Sequence, residues 1–169
     1  MGAGKTMVGR SLASLLRWSF FDLDYEIELR QKRQICEIFQ LRGESGFREI
    51  ETDTLRSVLQ QASGLTVIAL GGGTFVQSAN LALLRSRGAR VVFLETEIEE
   101  LLWRCRAADQ HSPQNPRPLA ATPEVFRALY AQRLPFYRTA ELTVNATGKT
   151  VEELAQEIVL GLHLSHRRR

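Results

Sequence analysis

Apolar positions fall along this chain in two rhythms that take turns. Short runs, SFFDLD (19–24), LTVIALGGG (65–73), RVVFLE (90–95) and ELTVN (141–145), are dense in Val, Ile, Leu and Phe, and each is followed by polar or glycine residues. Apolar runs of that length read as parallel strands buried on both faces. Between them the period lengthens to that of a helix. Val8, Leu12 and Leu15 share one face of a helix predicted over Lys5 to Leu16. Leu55, Val58 and Leu59 do the same over Ile50 to Gln61, and Leu154, Ile158 and Leu162 over Val151 to Leu162. The alternation predicts an α/β fold, a parallel sheet flanked by helices on both faces. Residues 107–123, AADQHSPQNPRPLAATP, break both rhythms with four prolines. A long stretch without periodicity inside a compact domain is expected to act as a lid rather than an inert surface loop. The closing HLSHRRR is expected to fray.

Composition narrows the picture. At 169 residues and 44% hydrophobic content, the chain suffices for one well-buried domain spanning 1–169. The formal charge of +3 equals the three terminal arginines, Arg167 to Arg169, so the body is close to neutral and no nucleic-acid partner is expected. Cys36 and Cys105 lie far apart and show no metal-ligand spacing, which fits a reduced compartment. No apolar stretch approaches the roughly 20 residues that span a bilayer. No signal-peptide pattern is seen, and the expectation is a cytoplasmic protein without a membrane partner.

Three short stretches could carry chemistry. GAGKT (2–6) matches the back half of a phosphate-binding loop, G-x-x-x-x-G-K-[ST], ahead of an amphipathic helix. Glycines let backbone N–H groups crowd round a phosphate, a lysine adds a point charge, and a threonine hydroxyl can serve Mg²⁺. The bland alternative is a helix start that happens to carry Gly-Lys-Thr. DLD places Asp22 and Asp24 at a strand's carboxyl end and on the same side of it, where open parallel sheets bind ligands. The alternative is a strand-end turn leading into the solvated helix start YEIE. LGGGT (70–74) spends three successive glycines, costly in entropy unless a ligand must approach the backbone, and otherwise a flexible turn. Arg48, Arg117 and Arg133 complete the candidates, since a planar guanidinium suits carboxylate and phosphate; singly, each reads first as a solvated ion pair, and only their company favours a site.

Taken in order, GAGKTMVGRSLA, FFDLDYEIE, IFQLRGESGFREIE, LGGGT, RPL and RLPFYR resemble the shikimate kinases, small P-loop kinases of aromatic amino-acid and chorismate biosynthesis. The resemblance runs over nearly the whole chain, and its specificity lies in the combination. It implies a P-loop NTPase-type fold with a lid, ATP as co-substrate, Mg²⁺ as cofactor, and transfer of the γ-phosphoryl group to the 3-hydroxyl of shikimate by a monomer. Residue by residue, it implies that Gly2, Ala3 and Gly4 give backbone donors, that Lys5 holds the β- and γ-phosphates, and that Thr6 and Asp22 serve the metal. Asp24 would bind ring hydroxyls beside the attacking one. Arg48 and Arg133 would grip the substrate carboxylate, Gly71, Gly72 and Gly73 would meet the substrate through the backbone, and Arg117 would descend with the lid onto the phosphates. Arg104 and Lys149 match nucleotide-side positions more loosely. A gluconate-kinase-like enzyme of the same fold and a non-catalytic nucleotide-binding domain are the rival readings.

The resemblance also expects a buried central strand and a first loop glycine ahead of Gly2, and neither is in the sequence. Each buried backbone group left unpaired costs about 1–3 kcal/mol, against a domain margin of about 5–15 kcal/mol. Met1 is therefore expected to be an internal methionine of an ordinary loop, the alternative being a truncated and weakened relative.

Overall fold

In the structure, a computed structural model, residues 2–62, 64–111 and 122–165 are described, with backbone alone for 108–111. In chain order the elements are α1 (Lys5–Leu16), β1 (Ser19–Asp22), α2 (Leu23–Gln31), α3 (Ile35–Gln61), β2 (Thr66–Ala69), α4 (Ser78–Ser86), β3 (Val92–Glu95), α5 (Ile98–His111), α6 (Pro123–Tyr137), β4 (Leu142–Asn145) and α7 (Val151–Gly161), with a single 3-10 turn at Thr74–Val76. Strands and helices alternate as the two rhythms predict, and every strand pairing is parallel. The lid range differs in part. Residues 107–111 continue α5 and Pro123 opens α6 behind a Thr122 cap, while the stretch between lies outside the described residues.

Among the described residues the strands form two separate parallel ladders, β1 with β2 and β3 with β4. Ser19 stands opposite Thr66 and Asp22 opposite Ala69; Val92 stands opposite Leu142 and Glu95 opposite Asn145. The strand expected ahead of Gly2 has no counterpart among these residues. What joins the ladders is side-chain packing. Val67 of β2, Val92 and Leu94 of β3 and Val144 of β4 all meet one cluster built from Val8, Leu12 and Leu16 of α1 and Leu154, Ala155 and Ile158 of α7. The neighbouring strand residues point the other way, as a period of two requires. Phe21 and Ile68 pack into a second cluster with Leu23, Ile27, Phe47, Leu55 and Val58. Helices therefore cover both faces, and β1 and β2 end side by side at Asp22 and Ala69.

Local choices deviate from the sequence pattern where capping or packing decides. Leu15 is exposed, and Ala13 and Leu16 complete the buried face of α1 instead. The helix predicted from Ile50 begins much earlier, at Ile35, and bends at Gly43, whose φ of 64° and ψ of −175° break the helical run. Of the closing HLSHRRR, backbone N–H groups of His163 and Leu164 donate to Leu160 and Val159, while residues 166–169 lie outside the described residues. Ile158 touches the cluster shared by both ladders. Ile158→Ala is expected to cost about 2–5 kcal/mol in urea unfolding, whereas Leu160→Ala, at an exposed position of the same helix, should stay within about 0.5 kcal/mol.

Candidate active site

The Gly2–Thr6 segment turns tightly into α1. Gly2 and Gly4 hold positive φ of 73° and 75°, and Gly4 is the N-cap without any side-chain cap. No side chain therefore caps the start of α1, and the helix start is positive. Those are the elements of an anion site. A Cβ on Gly2 would also lie 3.1 Å from the Cys105 sulfur and 3.2 Å from the Leu101 carbonyl, so the turn is pressed against α5. From α5, Arg104 donates to the Gly2 carbonyl at 3.4 Å and pairs with Glu100.

β1 ends at Asp22, and Asp24 lies in the first turn of α2. The two carboxylates therefore do not sit side by side on a strand, as the DLD spacing had implied. Asp22 caps α2, accepting from the Asp24 and Tyr25 N–H groups through one oxygen and from the Thr6 hydroxyl, at 2.5 Å, through the other. Thr6 and Asp22 present two hard oxygens side by side. No cluster of three His, Cys, Asp or Glu ligands occurs among the described residues. A lone hydroxyl and carboxylate suit a hard cation that takes its remaining ligands from phosphate and water. Asp24 reaches toward the glycine turn at Gly71. Crowding by protein raises its carboxyl pKa to about 6; Lys5 opposes the shift, and Asp22, Glu51 and Glu28 add to it. The residue nevertheless stays exposed to solvent.

The three glycines leave room for the protein's own side chains. A Cβ on Gly71 would lie 2.9 Å from an Asp24 carboxylate oxygen, 3.1 Å from the Thr74 hydroxyl and 3.3 Å from Glu51. On Gly73 it would fall 2.4–2.6 Å from the Arg48 guanidinium. Gly73 has an ordinary helical φ of −92°, so close approach, not backbone freedom, demands glycine there. Arg48 donates to Glu51 at 2.8 Å and to Glu44 at 3.1 Å. Burial works to lower its pKa, but the two carboxylates outweigh this and hold it above the usual arginine value. Glu51 is 1% exposed and also accepts the Thr74 hydroxyl at 2.6 Å. Asn80, fully buried, donates to the Thr74 carbonyl at 3.1 Å.

Arg133, on α6, is buried with its charge near the Tyr137 hydroxyl, which donates to the Gly72 carbonyl. The predicted site residues Gly2 to Thr6, Asp22, Asp24, Arg48, the glycine turn, Arg133 and Arg104 are therefore linked into one region by contacts. Lys149 is engaged elsewhere, in an ion pair with Glu157 on α7. Arg117 lies outside the described residues.

Comparison with known proteins settles the kinship of this arrangement. A family model described as shikimate kinase matches residues 1–163. The chain belongs to the shikimate kinase family. It is 40% identical to a shikimate kinase of Chromohalobacter salexigens over 94% of this chain and 86% of that protein. A second relative, the shikimate kinase of Nitrosospira multiformis, is 39% identical over 99% of this chain and 83% of its own. Among solved structures, a shikimate kinase from Acinetobacter baumannii in complex with shikimate superposes with a TM-score of 0.85 at 38% identity, covering 96% of this chain and 89% of that one.

Within this family frame, four polar residues escaped the sequence reading. Glu51 and Thr74 had a readable signal: FREIE puts an acid three residues after Arg48 on one helix face, and LGGGT ends in a hydroxyl. Tyr137 follows Arg133 at helical spacing inside RLPFYR. Asn80 had none. The close approach at Gly73 makes a direct prediction. Because buried Glu51 pins the guanidinium, Gly73→Ala should destabilise the fold by about 1–3 kcal/mol in denaturant unfolding. A loss below about 0.5 kcal/mol would mean that Arg48 swings aside freely.

Proposed function

We propose that this chain transfers the γ-phosphoryl group of ATP to the 3-hydroxyl of shikimate, giving shikimate 3-phosphate and ADP. The observation that carries the reading is the position of Asp24. Its carboxylate lies within the field of Lys5 at the anion turn and also against Gly71 of the turn that seats Arg48. A ring alcohol held there would meet a phosphate on one side and have its carboxylate anchored on the other.

Each residue then has a bounded task. The first-turn N–H groups with Gly2, Ala3 and Gly4 cradle phosphate oxygens, and Lys5 neutralises charge on the β- and γ-phosphates. Thr6 and Asp22 would hold Mg²⁺, which supplies further neutralisation on the phosphates when bound. Arg48 offers the substrate carboxylate the N–H now on Glu44, an exposed partner that is easily exchanged, while buried Glu51 keeps the guanidinium in place. Arg133 supplies the second donor to that carboxylate. Asp24 accepts the proton of the attacking hydroxyl or orients it. With a pKa near 6 it is charged at neutral pH and more basic than an ordinary aspartate, closer to the optimum for a general base. Positioning and charge neutralisation supply most of what phosphoryl transfer needs. Arg104, beside Gly2, and Lys149 would serve the nucleotide side, and Arg117 would close over the phosphates with the lid. In this reading the protein works in the cytoplasm as a monomer, without a nucleic-acid partner. No helix among the described residues is long and apolar enough to cross a membrane.

Coupled ADP release measured with shikimate and with gluconate separates this reading from a kinase acting on another small acid. Turnover is expected with shikimate alone. The deprotonated form of Asp24 is the active one, so kcat/KM for shikimate should decline as pH falls through about 6. Asp24→Asn should lose roughly 10²–10⁴-fold in kcat and abolish that acid limb. An unchanged limb in Asp24→Asn would remove this residue from the mechanism.

A further inference from the structure

The carboxylate clamp comes from two distant helices, Arg48 from α3 and Arg133 from α6, yet the glycine turn lies against both. Arg48 is fixed by Glu51. Nothing comparable comes from an acid to Arg133 among the hydrogen bonds and ion pairs described; its charge lies near the Tyr137 hydroxyl, one helical turn further along α6. That hydroxyl donates its proton to the Gly72 carbonyl and so ties the helix that carries Arg133 to the glycine turn. The ring behind it is held between Phe93 of β3, at 5.2 Å between centroids, and Tyr130 of α6, at 6.5 Å. The Thr74 end of the same turn is gripped separately, by Glu51 and Asn80.

We propose that Tyr137 is a positioning residue for shikimate: its hydroxyl, bonded to the Gly72 carbonyl, holds the helix that carries Arg133 and the Gly72 peptide in one register, so that both halves of the carboxylate clamp face the same point. The inference rests on the shikimate reading of this site. A hydroxyl that donates from one binding element to another sets their separation more firmly than apolar packing could, because hydrogen bonds are directional. Burial, opposed by the Arg133 and Arg48 charges, keeps the phenol above its ordinary pKa, so it stays protonated and able to donate across the working pH range. The neighbouring Phe136 is exposed and has no such part.

Tyr137→Phe deletes the hydroxyl and keeps the ring against Phe93 and Tyr130. Steady-state kinetics of the full chain should show KM for shikimate raised roughly ten-fold, as expected for one buried hydrogen-bond link. KM for ATP should stay within about two-fold and the melting temperature within a few degrees. Phe136→Leu should leave both KM values unchanged. A merely structural tyrosine would lower the melting temperature and leave the two KM values in their original ratio, which would overturn the proposal. So would a Tyr137→Phe protein that fails to fold, since the hydroxyl would then serve stability. If the parent chain itself shows no saturation with shikimate, the substrate reading fails, and the Tyr137 role fails with it.

Discussion

A buried carboxylate holds this site together. Glu51 is nearly sealed from water, and an ionised group there is tolerable only if every side that matters finds a donor. It finds two, the Arg48 guanidinium and the Thr74 hydroxyl. The requirement welds α3 to the turn after β2. It also explains the two glycines flanking Gly72, whose missing side chains make room for Asp24, Thr74 and Arg48. The proposed clamp residue Arg48 is therefore held by the protein's own contacts, which would lower the ordering cost of binding.

The other half of the site is built from backbone. Two glycines at positive φ and an uncapped helix start give the elements of an anion site, while Asp22 spends one oxygen on capping α2 and the other on Thr6. Asp24 stands where the halves meet and responds to both, lowered by Lys5 and raised by Asp22 and Glu51. Opposed influences of that kind hold a carboxyl pKa between an ordinary aspartate and neutrality, the range useful to a base that must also release its proton.

Much of this was legible from residue order. Period located the four described strands together with α1, the second half of α3 and α7, because burial dictates apolar spacing; it did not mark α2, α4, α5 or α6, though they too pack into the core. Period could not see where a strand yields to a helix: Leu23 and Asp24 look like strand residues until Asp22 caps the helix beneath them. The triplet of glycines was legible as a site but not for its reason, since the close approach comes from Arg48 and Asp24 of distant elements. Leu15 fits the helical stripe yet faces solvent, Ala13 and Leu16 filling the contact instead. Glu51 and Tyr137 stand at helical spacing from Arg48 and Arg133, a signal that carries meaning only once the partner turn is in place.

The account turns on whether Glu51 acts through Arg48. Calorimetric titration with shikimate of Glu51→Gln, Arg48→Lys and the double variant addresses it directly. Each single change should weaken binding by roughly ten-fold or more, and the double variant should bind no more weakly than Arg48→Lys alone. Unchanged affinity in Glu51→Gln, or losses that simply multiply, would contradict the claim.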